Sequence, residues 1–79
     1  MKFNKDMLEE MNVLSCYDLA NSQTGIKVHS DATDSNIAAT NRLFEKGLVS
    51  QSDGGYLTER GHTAAEHLEH LAGILNQVN

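Results

Sequence analysis

Apolar residues recur at helical spacing from Met7 through Met11 and Leu14 to Tyr17, with Leu8 and Leu19 beside them. Lys5, Glu9, Glu10 and Asn12 fill the polar side of the same stretch. Asn4 precedes it as an N-cap residue, and Phe3 and Leu8 take the N′ and N4 spacing of a hydrophobic staple. This pattern predicts a first helix ending near Ala20 or Asn21, where Asn21-Ser22-Gln23-Thr24-Gly25 brings turn chemistry. Ile26-Lys27-Val28-His29 then alternates apolar and polar with two β-branched residues, which predicts a short strand.

Thr33 stands as the N-cap of a second helix running through Lys46, with Asp34 well placed against the helix dipole and Gly47 as the C′ residue. Stepping about 100° per residue places Ile37, Thr40, Leu43, Phe44 and Leu48 on a buried arc. Ser35, Ala38, Ala39, Arg42 and Lys46 then form the open side. Leu48 to Gln51 and Tyr56 to Thr58 flank Ser52-Asp53-Gly54-Gly55, whose glycines supply the positive φ of a tight hairpin. Thr58 caps a final helix on which Ala64, Leu68, Leu71, Leu75 and Val78 recur as a seam of a/d type. Gly73 interrupts that helix, as a fraying point or a close helix contact. The expected fold is mostly α with a small β-hairpin (α+β), in the order helix, short strand, helix, hairpin, helix.

At 79 residues the chain fits one domain, 1–79, with no room for a second core. A single cysteine excludes an internal disulfide, and the charged N-terminal stretch lacks the apolar run of a secretion signal. No run approaches a membrane span, so a cytoplasmic protein is expected. The net charge of −5 counts against nucleic-acid binding.

The segment Arg42-Leu-Phe-Glu-Lys-Gly-Leu-Val49, followed by Asp53-Gly-Gly-Tyr-Leu-Thr-Glu-Arg-Gly61, resembles winged-helix regulators. The resemblance covers Asp34 to Leu75, about half the chain. The whole chain also resembles a small family of bacterial proteins of unknown function that carries a DNA-binding label, above all at Gly25-Ile-Lys-Val-His-Ser-Asp-Ala32 and Asp53-Gly-Gly-Tyr-Leu-Thr58. The resemblance implies a winged-helix-like domain with a recognition helix at 34–46, a wing at 48–58 and a C-terminal helix that dimerises. One departure stands out. A winged helix needs a further helix just before Thr33, and Ser22 to Ala32 is poor helix material. That helix is therefore expected to be lost or reduced to a single turn, which removes a brace on the phosphate backbone.

On this reading Arg42 donates to guanine, Ser35 bonds a phosphate and Lys46 neutralises another. Gly54 and Gly55 approach the backbone at the wing tip, with Lys27 nearby. The expected function is regulatory DNA binding without a cofactor, as a homodimer joined through Leu68, Leu71, Leu75 and Val78. The alternative is a winged-helix-derived protein-interaction module that has lost DNA binding; the acidic balance and the missing helix favour it. His62, Glu66, His67, Glu69 and His70 crowd one helix, but their spacing matches neither zinc-protease motif and reads as a solvated face, so no metal is expected. Protonation of His67 and His70 near the seam is a minor route to a pH-sensitive dimer. Cys16 reads as a buried small hydrophobe, and Tyr17 and Tyr56 as packing residues. No phosphate loop, carboxylate dyad or nucleophile elbow appears, so no enzyme is expected.

Overall fold

The structure, a computed structural model, describes residues 1–21, 25–28 and 32–77. Its elements run α1 (Lys5–Leu14), β1 (Ile26–Lys27), α2 (Asp34–Glu45), β2 (Val49–Gln51), β3 (Gly54–Leu57) and α3 (Glu59–Leu75). This is the expected order: three helices around a small antiparallel sheet of strand order β1-β3-β2. No described helix is long and apolar enough to cross a membrane. The predicted strand residue His29, and most of the turn after α1, lie outside the described residues. Among the described residues no helix stands between β1 and α2.

The three predicted N-caps form. Asn4, Thr33 and Thr58 accept from the backbone N–H groups of Met7, Asn36 and Gly61. Thr58 does more, because its hydroxyl also donates to the Gly47 carbonyl at 2.6 Å, tying the start of α3 to the end of α2. Gly47 takes the positive φ of a C′ residue, +77°.

α1 is shorter than expected. It stops at Leu14 because Ser15 and Cys16 both turn their side chains back to the Asn12 carbonyl, and Asp18 bonds the Ala20 N–H. Such side-chain bonds offer the backbone an alternative to helix. Cys16 is exposed rather than buried.

The hairpin also differs. β3 begins at Gly54, so the two glycines are strand residues that pair with β1, Lys27 opposite Gly54 and Ile26 opposite Gly55. A Cβ on Gly54 would stand 2.7 Å from the Ile26 carbonyl oxygen. The glycines thus serve the close approach of β1 as well as the positive φ, +122° and +74°.

The core gathers Val13, Leu14 and Tyr17 from α1 and the loop behind it, Ala39 and Leu43 from α2, and Val49 from β2. Ile26, Leu48, Leu57 and Leu68 pack around it. Thr40 is buried but its hydroxyl donates to the Asn36 carbonyl at 2.7 Å. The Tyr17 hydroxyl is buried with no hydrogen-bond partner among the described residues. Burial, with the charges of Cys16 and Asp53, pushes this phenol up to about 12 from its ordinary 10. A phenol whose folded pKa is raised contributes stability that is complete below pH 10 and is lost as pH climbs towards 12. Tyr17→Phe is expected to abolish this alkaline loss and to leave stability at neutral pH unchanged or higher, since no bond is broken. Urea denaturation at pH 8 and pH 11 checks it.

Candidate functional site

The predicted contact residues centre on α2, so the direction of its faces decides what they can touch. Its buried line is Leu43 with Ala39 and Thr40. That line lies roughly 60° around the helix from the expected arc, at about 100° per residue. Ala39, expected on the open side, is fully buried, whereas Phe44, expected inside, is 44% exposed. The rotation turns Arg42 and Lys46 towards α1.

There they meet carboxylates. Arg42 Nε donates to Glu10 Oε2 at 3.1 Å, and Lys46 Nζ donates to Glu10 Oε1. Arg42 Nη2 lies 3.6 Å from Glu9 and 3.8 Å from Asp6, and also reaches the Asp6 carbonyl at 3.4 Å. Glu10, assigned by sequence to the wet face, is 7% exposed. It sits on the line that continues into Val13, Leu14 and Tyr17, and a carboxylate on an apolar line is the signal that it has a buried partner.

Burial by itself would push the Glu10 carboxyl up. The hydrogen bonds and charges of Lys46 and Arg42 outweigh it and hold the group below its ordinary 4.5. For Arg42, burial would lower the pKa, but Glu10, Asp6 and Glu9 together raise it. A carboxyl with a depressed folded pKa contributes stability above its unfolded value, lost as pH falls through the folded one. Stability should therefore fall as pH drops below 4.5, and Glu10→Gln should flatten that dependence. The expected loss at pH 7 is about 1–2 kcal/mol, since charge-assisted bonds are weakened while Lys46 stays half in water. Chemical denaturation at pH 7 and pH 3 measures both.

The remaining predicted contacts are dispersed. Ser35 is exposed near the start of α2, and Lys27 is exposed on β1 beside the hairpin as expected. Gly54 is buried and Gly55 half-buried under β1, so neither stands as a free wing tip. The outward face of α2 carries Asp34, Ala38, Asn41 and Glu45, with a carboxylate at each end.

The seam on α3 is divided. Gly61 and Ala65 are buried, and Leu68 packs on the core, but Leu71 is 45% and Leu75 73% exposed. Val78 lies outside the described residues. On the other flank His62 Nδ1 meets Glu66 Oε1 at 3.0 Å. Among the described residues no group of three or more His, Cys, Asp or Glu is placed to hold a metal ion.

No curated protein and no solved structure matches the chain. A family model does match it over residues 1–76, nearly its whole length, and the chain therefore belongs to DUF5669, a family of unknown function.

Proposed function

We propose that this chain is a protein-interaction module of winged-helix-like build, without enzymatic activity, rather than a reader of DNA. The observation that carries the reading is the engagement of Arg42 and Lys46 by carboxylates of α1, above all the buried Glu10. Non-specific DNA affinity arises from counterions that free lysines and arginines displace. A phosphate would have to compete with Glu10 for both cations of the face that resembles a recognition helix.

The charges elsewhere support the same reading. Lys5 lies 4.0 Å from Glu9, and the other cations, Lys2, Lys27 and Arg60, stand on three separate segments of a chain with net charge −5. The outward face of α2 offers Asp34 and Glu45 to an approaching phosphate. Large apolar side chains remain in water on α3, where a protein partner would bury them.

The test is an NMR titration of labelled protein with mixed-sequence duplex DNA at low salt, where even a weak non-specific binder responds. Unchanged spectra are expected. Salt-sensitive shifts at Ser35, Lys27, Arg42, Lys46 and Gly54 would overturn the proposal and establish DNA binding instead.

A further inference from the structure

Resting on that interaction-module reading, we propose that a basic amphipathic helix of another protein docks in the groove between α3 and the segment that follows α1. The groove runs along one flank of α3. Its lining is apolar at depth, with Leu14, Tyr17, Ala65 and Leu68 on one side of Leu19. It continues past Leu19, Glu69 and Gly73 to Ile74, which is 51% exposed at its far end. At about 100° per residue, Glu66, Glu69 and Gly73 share about 60° of arc, with Leu71 and Leu75 on the opposite side of the helix.

Gly73 is the residue that the domain itself does not explain. Glycine in a helix costs about 0.5–1 kcal/mol against alanine. A Cβ at position 73 would meet nothing within 4 Å, so no neighbour within the domain requires its absence. Gly73 nevertheless lines both parts of the groove, beside the half-buried Ala72. A bare backbone at this point lets a second helix approach closely, as small residues at helix contacts do.

Charge selects the occupant. No lysine or arginine lines the groove among the described residues. None occurs at positions 6–26 or 61–79, the stretches that contain both walls. Glu66 and Glu69 stand exposed along the rim. Glu66 meets only His62, and Glu69 makes no ion pair among the described residues. The last turn of α3 also carries no basic residue, so the negative end of its dipole adds to these carboxylates. An apolar floor under an uncompensated negative rim matches leucine-like side chains flanked by lysine or arginine. A second copy of this chain, with net charge −5, would bring like charge to that rim.

The walls favour a helical partner over an extended one. They are a helix and a segment, 15–20, that contains no strand. An extended partner would find no sheet edge there to pair its backbone, whereas a helix satisfies its own.

Fluorescence anisotropy of a labelled synthetic helix, leucines and lysines at amphipathic spacing, titrated with the full chain reads the outcome. Binding is expected for this peptide and not for the same peptide with glutamate at each lysine position. Gly73→Leu should weaken binding roughly tenfold or more by overfilling the contact. It leaves every charge in place, so the loss separates seating in the groove from attraction to an acidic chain. The urea midpoint of that variant should not fall, because position 73 has open space and leucine is the better helix former. Leu75→Ser, on the opposite flank, should leave binding unchanged. Absence of binding, equal binding of both peptides, or indifference to Gly73→Leu overturns the inference. A protein that binds neither peptide nor DNA overturns it while the interaction reading stands with a different partner. A protein that binds DNA removes both.

Discussion

Gly61→Ala is expected to destabilise the domain by about 3 kcal/mol or more, enough to unfold much of a protein whose total stability is of the order of 4–12 kcal/mol. Helix propensity alone predicts the opposite, since alanine is favoured over glycine in a helix interior by about 1 kcal/mol. Packing decides the sign. A Cβ at position 61 would stand 1.8 Å from the Leu48 carbonyl oxygen and 2.8 Å from its carbon. Both atoms are backbone and cannot swing aside. The same oxygen accepts from the Thr58 N–H at 3.1 Å, so moving α3 away to relieve the clash also strains the cap that starts it. Gly73→Ala provides the control within the same helix. Nothing lies within 4 Å of a Cβ there, so propensity acts unopposed and a gain of about 0.5–1 kcal/mol is expected. Urea denaturation of the two variants should show midpoints moving in opposite directions. Equal shifts for both would mean that α3 does not seat on Leu48 as described.

Leu43→Ala should cost about 2–4 kcal/mol. Leu43 is 1% exposed and belongs to the cluster that joins α1, α2 and β2. Its neighbours come from elements held by capping bonds and strand pairing, so they can close only part of the cavity. In a domain this small, one large core side chain is a sizeable share of the buried apolar surface. Leu43→Met conserves volume and is expected to cost less than about 1.5 kcal/mol. A denaturation series on the three proteins measures the difference. If alanine and methionine cost the same, the side chain is not enclosed as the structure shows.

The rotation of α2 by roughly 60° marks where reading along the chain stopped being enough. Phe44 and Ile37 are apolar and Ala39 is small, so periodicity favours the former pair for the interior. The neighbour that overrules it is α1, whose Glu10 can be buried only with cations opposite it. Arg42 and Lys46 supply them and draw α2 round. Neither helix contains that information alone, because Glu10 and Lys46 are 36 positions apart in the chain. The same limit governed the glycine pair of the hairpin, which read as a turn until the pairing with β1 placed it inside the sheet. On α3 the repeat of Ala64, Leu68, Leu71 and Leu75 was visible, but how the stripe divides between the domain's own core and open water was not.

What the chain determined by itself is everything carried by short range. Asn4, Thr33 and Thr58 mark helix starts because each can satisfy an N–H three residues on, and Gly47 ends a helix because it alone tolerates the positive φ required there. The element order follows from those signals and from the turn at Ser52 and Asp53 with the positive-φ glycines that follow it. Tertiary structure decided which face of each element is inside, and with it the fate of the candidate site. Burial and ion pairing depend on groups that the fold brings together from distant positions, and a local pattern records only which faces are available.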